Sequence, residues 1–269
     1  MASFSVVSNI ASANAQANLQ MTSVGLQRAI NRLSSGFRIN QSGDDAAGLT
    51  VANGYRQDVA VLNQGIRNAN DGLSDLQIKD GAMNNISTLL DRMATLAAQS
   101  ANSKTSTAGR SALSAEYDSL VGEITREADV AGLTTPAGFS VFVSNATTPA
   151  QGLVSGTLTA VTVGALVVAA GDINSGAKGF AQITRLRTAV DTLGAAQGII
   201  GTLQNRMQFA IGLAQSQLVN TKAAESRVRD ANVAEEAANM TRYNILTQSG
   251  IAALSQANQS TGAILALLR

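Results

Sequence analysis

Cysteine and histidine are both missing from this chain of 269 residues, and their absence removes several classes of function. Without cysteine there is no disulfide bond, no thiolate nucleophile and no cysteine-bound metal. Without histidine the chain also lacks the commonest general base and the commonest metal ligand. We therefore expect neither enzymatic activity nor a metal or cofactor site.

Large side chains and excess charge are scarce as well. Tryptophan is absent, aromatic residues make up 3% of the sequence, and alanine and glycine recur throughout. Small side chains with scattered leucine and isoleucine suit closely packed long helices better than a core of large side chains. The formal net charge of +1 leaves no basic excess to neutralise phosphates, which argues against nucleic acid as a partner.

A cleavable secretory signal is not predicted, because the N-terminus has neither a basic region nor a continuous apolar run. The apolar segment from Leu153 to Ala170 is of marginal length for a membrane span, and Ser, Thr and Gly interrupt it. Its β-branched residues favour strands, so we expect no span. A secreted, membrane-active coiled coil stays as an alternative of a different class.

The two ends of the chain carry matching apolar rows on alternating three- and four-residue steps, the spacing of a coiled-coil seam. We expect these ends to pair as antiparallel helices. Asn258 is either a tolerated polar position or a selector of register. The C-terminal row consists of Ile251, Leu254, Asn258, Thr261, Leu265 and Leu268, and the N-terminal row of Leu19, Leu26, Ile30, Leu33 and Phe37.

Three further helices are predicted between the ends. The first runs from Asp44 to about Ser100, with places to bend at Asp71-Gly72 and Asp80-Gly81, and the turn Ala101–Gly109 separates it from the second. The third begins near Ser175. Gly194, Gly198 and Gly201 on this helix match no phosphate-binding or dinucleotide pattern, so we expect close helix–helix approach there.

Both prolines and the highest density of β-branched residues lie between the second and third of these helices. Phe139–Val143 and Thr157–Val168 are predicted strands, in one or two hairpins. The expected fold class is therefore mainly α, with long antiparallel helices in a coiled-coil-like bundle and one small β-hairpin region in the middle of the chain.

Several separated motifs carry a resemblance to a known family. The segment SRVRDANVAEEAANMTRYNILTQSGIAALSQANQSTGAILALLR closely resembles the C-terminal region of bacterial flagellin. NRLSSGFRINQSGDDAAGLTVAN is similar to the N-terminal signature of the family, and LAAQSANS to its mid-chain motif. The resemblance covers about residues 1–130 and 180–269, in the expected order.

The resemblance implies a structural subunit that is exported and polymerises into the extracellular flagellar filament for motility. Its partners would be other copies of the chain, the export apparatus and its chaperone, and the cap and hook-junction proteins. A hook–filament junction protein is the alternative within the family. The implied parts are an inner core (1–42 paired with 228–269), a helical layer (43–130 and 178–227) and a β-hairpin region with a short insert (131–177).

The resemblance also implies a surface patch that neighbouring subunits cover and that a Toll-like innate immune receptor contacts. Ala94 and Thr95 stand where strongly recognised flagellins have a basic and an acidic residue, so weak receptor contact is expected. The patch consists of Arg92, Leu96, Gln99, Asn102 and Glu116. The alternative is an ordinary solvated helix face, with Leu96 in or beside the core. Glycosylation in this family usually falls on exposed Ser or Thr, for which Ser144, Thr147 and Thr148 are candidates.

Overall fold

A computed structural model describes residues 9–144, 152–166 and 173–267, with residues 261–267 described by their backbone alone. The described chain is mainly α-helical and contains one two-stranded antiparallel sheet, as the sequence predicts. The helices are α1 (Ile10–Ser35), α2 (Ala46–Ala101), α3 (Thr107–Val130), α4 (Gly176–Arg229) and α5 (Val233–Leu267), and the strands are β1 (Ala137–Phe142) and β2 (Leu153–Leu158).

Polar caps and left-handed glycines set the ends of the helices. The side chain of Asn9 accepts a hydrogen bond from the amide of Ser12 at the start of α1, and Ser106 does the same for Gly109 at the start of α3. Gly36 ends α1 with φ 74°, and Gly132 follows α3 with φ 64°, conformations that favour glycine.

Two compact units divide the chain, one made of Met1–Gln57 and Thr221–Arg269 and the other of Asp58–Asn220. The second unit contains the described apolar core, which α2, α3 and α4 build together with the hairpin. In α2 this core repeats every seven residues, at the buried positions Leu62, Ala69, Leu76, Met83, Leu90 and Ala97. The finer five-part division of the chain stays a prediction.

Contacts between side chains fix antiparallel directions within this core unit. Along α2 and α3, Arg92 bonds to Glu116, and Arg110 donates to the carbonyl of Ser100. Along α2 and α4, Gln197 bonds to Asn84, and Met207 lies beside Gly72. The helix α2 runs unbroken through Asp71-Gly72 and Asp80-Gly81, so the chain does not leave the helix at either of these positions. Packing explains this at Gly72, because the space a Cβ would occupy lies against side chains of the hairpin and of α4.

The β-hairpin packs one face on α2 and α4. Phe139 and Val154 are buried on that face, and the register pairs Phe139 with Gly156. Because Gly156 lacks a side chain, Leu203 of α4 packs against its backbone, where an added Cβ would lie 2.6 Å from Leu203 Cδ2. The absence of a side chain at Gly156 thus leaves space on the inner face of β2 for the side chain of Leu203.

The position predicted for the second strand is wrong. The strand occupies Leu153–Leu158 rather than Thr157–Val168, and a single hairpin forms in the described chain. The ladder ends at the pair Ala137–Leu158, directly after Pro136. Beyond this pair the amide of Val161 donates to the carbonyl of Leu133 at 2.8 Å instead of extending the ladder. The β-branched residues between Leu158 and Leu166 therefore have no partner strand in the part of the chain that the structure describes.

The ends of the chain pair within the other unit, as the sequence predicts. Antiparallel contacts join Arg32 to Glu236, Gly25 to Tyr243 and Leu19 to Gly250 along α1 and α5. An added Cβ at Gly25 would lie 2.7 Å from Tyr243 Cε1, and one at Gly250 would lie 2.8 Å from Leu19 Cδ1. The seam therefore packs large side chains against glycine.

This large-to-small packing corrects the predicted C-terminal seam. The inward positions of α5 are Glu236, Tyr243, Gly250, Leu254 and Ala257, which are buried or half-buried. Ile251 is 56% exposed and Asn258 is also exposed, although both belong to the C-terminal row that was predicted to form the seam with Leu254. The prediction followed the large apolar residues, whereas Gly250 and Ala257 form the contact.

The glycines of α4 also depart from expectation. A Cβ added at Gly194, Gly198 or Gly201 would meet no atom of the described chain within 4 Å. The predicted close approach of another helix is therefore not found among the described residues. These glycines lie on the side of α4 that faces away from its buried row.

Candidate functional site

The first candidate surface is the paired terminal helices α1 and α5. Arg32 Nη1 lies 3.1 Å from Glu236 Oε1, and the Glu236 side chain is only 10% exposed. At the other end of the pair, Asn9 Nδ2 donates to the carbonyl of Ala257 at 3.0 Å. These polar contacts fix the register of two helices that have few buried apolar side chains.

The predicted inner-core residues divide by exposure. On the seam itself, half-buried positions are Leu19, Leu26, Leu33, Phe37 and Leu254. Ile30 is 42% exposed and Ile251 56% exposed, so these two lie at the margin of the pair or outside it. The side chain of Leu265 and all of Leu268 lie outside the described residues. The assembly role of the whole set stays a prediction.

A short joint, residues 36–38 and 228–231, ties the end of α1 to the break between α4 and α5. The amide of Arg38 donates to the carbonyl of Arg229 at 2.7 Å, and the amide of Ala231 donates to the carbonyl of Gly36 at 2.9 Å. The Arg229 guanidinium lies 4.1 Å from the centroid of the Phe37 ring, within cation–π range.

Nearby, backbone amides hold the carboxylate that precedes α2. The amides of Asn40 and Gln41 both donate to Asp44 Oδ2 at 3.2 Å. These bonds, with smaller contributions from Arg32 and Arg28, keep the pKa of Asp44 below its ordinary value. The loop between α1 and α2 is therefore organised around an ionised aspartate.

The second candidate surface lies at the α2–α3 end of the core unit. Arg92 Nε and Nη2 both donate to Glu116 Oε1, at 2.9 and 2.6 Å. About half of each side chain is exposed, so the pair is available to a partner and contributes only about 0.2–1 kcal/mol to stability.

In the turn beside this ion pair, backbone carbonyls accept hydrogen bonds from side chains. The carbonyl of Gln99 accepts from Thr105 Oγ1 at 2.8 Å, and the carbonyl of Asn102 accepts from Arg110 Nη2 at 3.0 Å. The side chains of Gln99 and Asn102 are exposed. The structure therefore brings four predicted patch residues to one end of the core unit.

Leu96 differs from the rest of the predicted patch. Its exposed fraction is 0%, and it belongs to the apolar core with Met93 and Tyr117. A partner could not reach Leu96 without opening the bundle. The exposed patch thus reduces to Arg92, Gln99, Asn102 and Glu116.

Of the candidate glycosylation positions, only Ser144 lies among the described residues. It follows β1 by two positions and is half-buried. Thr147 and Thr148 lie outside the described residues, so all three assignments stay predictions.

The described ranges also bear on metal binding and membrane crossing. Among residues 9–144, 152–166 and 173–267, no three acidic, histidine or cysteine side chains come together as metal ligands. None of the helices in these ranges has the length and apolar character that crossing a bilayer requires.

Sequence reasoning missed several residues that form the terminal pair: Gly25, Arg32, Glu236, Tyr243 and Gly250. The available signal was the alternation of large and small residues at heptad spacing. A search for matched rows of large apolar residues does not include glycine. Glycine on one helix nevertheless leaves the space that a tyrosine of the other helix fills.

Comparison with known proteins gives one consistent result. The family model "Bacterial flagellin N-terminal helical region" matches residues 6–134, and "Bacterial flagellin C-terminal helical region" matches residues 183–268. A flagellin of Halalkalibacterium halodurans is 34% identical, covering 97% of this chain and 98% of its own.

Two further proteins are similar to this chain. The flagellar filament 33 kDa core protein of Treponema phagedenis is 32% identical, covering 97% of this chain and 98% of its own. A crystal structure of Bacillus cereus flagellin aligns with 59% of this chain and 94% of its own, at 28% identity and a TM-score of 0.49.

Proposed function

The chain belongs to the bacterial flagellin family, and we propose that it is the structural subunit of a flagellar filament, which serves motility. The observation that carries the proposal is the α1–α5 pair. Met21 is 67%, Ile245 61% and Ile251 56% exposed on this pair. Covering each such side chain contributes roughly 1.5–3 kcal/mol, and neighbouring copies in a polymer would supply that cover.

The name of the Treponema phagedenis relative, a filament core protein, supports the same role. The location follows from the role: the filament lies outside the cell, so the chain is exported and extracellular. Its partners are other copies of itself, the export apparatus with its chaperone, and the cap and hook-junction proteins. We assign it no catalytic activity.

Seeded polymerisation of the purified chain tests this function. Short fragments of its own filaments are added to the monomer, and elongation is followed by light scattering and electron microscopy. We expect long helical filaments from the full chain. A chain that never elongates on its seeds would contradict the filament role and favour the hook–filament junction protein.

Deletion of Ile251–Arg269 tests the terminal pair in the same assay. We expect the truncated chain to keep its core unit folded, because residues 58–220 contain the described apolar core. Elongation should be lost. Filaments from the truncated chain would contradict an assembly role for the end of α5.

We propose that the exposed patch, Arg92, Gln99, Asn102 and Glu116, is covered by neighbouring subunits and is the contact for a Toll-like receptor in the monomer. The exposed Arg92–Glu116 pair supports this, while the absence of charge at Ala94 and Thr95 predicts weak contact. Reporter cells given the monomer should respond weakly, and Arg92→Ala should remove the response. A silent unmodified monomer would end the receptor proposal.

A further inference from the structure

The outward side of α4 carries a row of uncharged residues within the core unit. They follow three- and four-residue steps, and they lie on the opposite side from the buried row that includes Leu193, Ile200 and Met207. The outer row consists of Gly194, Gly198, Gly201, Asn205, Phe209, Gly212, Ser216 and Val219.

Large apolar side chains stand in solvent at one end of the outer row. Phe209 is 80% exposed and Val219 66%, and the adjacent Leu213 is 59% exposed. Single exposed apolar residues are ordinary on protein surfaces, but several within three turns of one helix are typical of a surface that contacts a partner.

Charge is depleted along the whole length of this surface. From Thr192 to Asn220 the single charged residue is Arg206, against 14% charged residues in the chain as a whole. The Arg206 Nη1 atom donates to the carbonyl of Ser155 in β2 at 2.9 Å, so this charge is directed to the hairpin. Depletion of charge with exposed aromatic residues is typical of the centre of a protein interface.

Three of the four glycines in the outer row, Gly194, Gly198 and Gly201, occupy its other end, and Gly212 lies at the bulky end. Each lowers the stability of the helix relative to alanine. A Cβ at Gly194, Gly198, Gly201 or Gly212 would meet nothing within 4 Å in the described chain, so packing inside the subunit does not require them. The absence of side chains at these positions leaves room for an atom group from outside the subunit.

We propose that the outer row of α4 is a contact between copies of this chain, in which the Phe209–Leu213–Val219 end of one copy packs against the Gly194–Gly198–Gly201 end of another. An uncharged surface can meet the same surface of another copy without like-charge repulsion. Because the bulky end and the glycine end differ, the contact is heterologous and extends from copy to copy.

This inference rests on the proposed function, since a contact that extends without closing suits a filament subunit. It adds the surface through which the core units contact each other. Phe209→Lys and Gly198→Leu test the two ends of the row. Each has a matched control elsewhere in the core unit: Ile78→Lys on α2, where Ile78 is 63% exposed, and Gly122→Leu on α3, where a Cβ would also meet nothing.

The measurement is the critical concentration for seeded polymerisation of the full chain, with helix content and thermal midpoint of each monomer recorded alongside. We expect Phe209→Lys and Gly198→Leu each to raise the critical concentration about tenfold or more, the loss expected when a buried apolar contact is removed. The two controls should stay within about twofold of the unmodified chain.

The outcomes separate this inference from the proposed function. If the unmodified chain does not polymerise, the filament function and the inference both fail. If it polymerises and the two outer-row variants behave like their controls, the inference alone is overturned. Binding of the monomer to neutral phosphatidylcholine vesicles that Phe209→Lys abolishes, with assembly unchanged, would assign the row to a lipid surface instead.

A second measurement does not depend on how the variants assemble. Because the chain has no cysteine, a single introduced thiol reports on its own position. Ser216→Cys on the outer row should react with a maleimide at least about tenfold more slowly in filaments than in the monomer. Equal reactivity in filament and monomer would overturn the proposed contact.

Discussion

At the scale of single residues, glycine decides how closely the elements of the core unit approach one another. Gly65 of α2 is buried beneath the end of the hairpin, where a Cβ would overlap the carbonyl of Val143. Gly81 of the same helix is exposed, and a Cβ there would meet nothing within 4 Å. The same residue type therefore has opposite effects on stability at two positions of one helix.

Alanine substitutions test this difference. Gly65→Ala should lower the free energy of unfolding by about 1–3 kcal/mol, because the fixed backbone of Val143 must move. Gly81→Ala should raise it by about 0.5–1 kcal/mol through better helix propensity alone. Urea unfolding followed by circular dichroism measures both. Equal effects at the two positions would contradict the packing of the hairpin on α2.

Tyr117 gives a prediction about pH. Its side chain is fully buried, no hydrogen-bond partner is found for its hydroxyl in the described chain, and burial raises its pKa to about 12 from 10.0. The unfolded chain therefore loses this proton at a lower pH than the folded chain does. The contribution of Tyr117 to the free energy of unfolding is complete below pH 10 and declines from there towards pH 12.

Comparison with Tyr117→Phe isolates this effect, because Tyr55 and Tyr243 are present in both proteins. Between about pH 9 and pH 11 the unmodified chain should lose about 1.3 kcal/mol more of its free energy of unfolding than the variant does. Urea unfolding at the two pH values measures the difference. A parallel decline in both proteins would show that Tyr117 ionises equally well in the folded state.

At the scale of elements, the periodicity of the sequence predicts helices whose buried row repeats over many turns. It does not predict the position of a strand that depends on individual contacts. The long helices α2 and α4 repeat one buried row over many turns, so the existence and inward face of each follow from spacing. The position of β2 depends instead on Gly156, which admits Leu203, and on the bond from the amide of Val161 to the carbonyl of Leu133, which lies outside the ladder. Neither constraint is visible in the β-branched density that favoured Thr157–Val168.

The candidate surfaces show the same division. That the chain ends pair was predictable from their matched helical rows, but the residues in contact were not, because Gly25 and Gly250 carry no apolar signal of their own. Likewise, the sequence left Leu96 either in or beside the core or on the exposed patch, since its exposure depends on which side of α2 the helix α3 covers.

The hairpin provides a prediction at this scale. Arg206 bonds to the outward-facing carbonyl of Ser155, and Asn68 Nδ2 lies 3.4 Å from the carbonyl of Phe142 on the other strand. Arg206→Ala should weaken the hairpin by about 1 kcal/mol and leave α4 helical, since alanine is the better helix former.

Hydrogen exchange at the amides of Val141 and Val154 should then be about fivefold faster, while exchange at Leu193 should be unchanged. Arg187→Ala serves as the control on the same helix, because among the described residues Arg187 makes no bond to the hairpin comparable with that of Arg206. Acceleration by both variants would mean that the effect comes from α4 rather than from the strand edge.

At the scale of the whole molecule, the two compact units differ in how much apolar surface they bury. The described core cluster, from Leu62 to Ala214, lies within the unit Asp58–Asn220. In the other unit Ala29 is the buried residue of α1, and Glu236 is the buried side chain among the described positions of α5. Ordering the backbone costs about 1–2 kcal/mol per residue, so few buried contacts imply a small margin of stability.

The monomer should therefore not unfold in a single cooperative step. We expect amides in α1 and in the described part of α5 to exchange at least about a hundredfold faster than those near Met83 and Leu90 in α2, a difference of about 3 kcal/mol in opening free energy. In filaments the exchange of α1 and α5 should slow, because neighbouring copies cover Met21, Ile245 and Ile251, while the core of α2 changes little. Hydrogen exchange measured by mass spectrometry before and after seeding tests both expectations. If α1 and α5 are as protected as α2 in the monomer, the α1–α5 pair is stable without assembly.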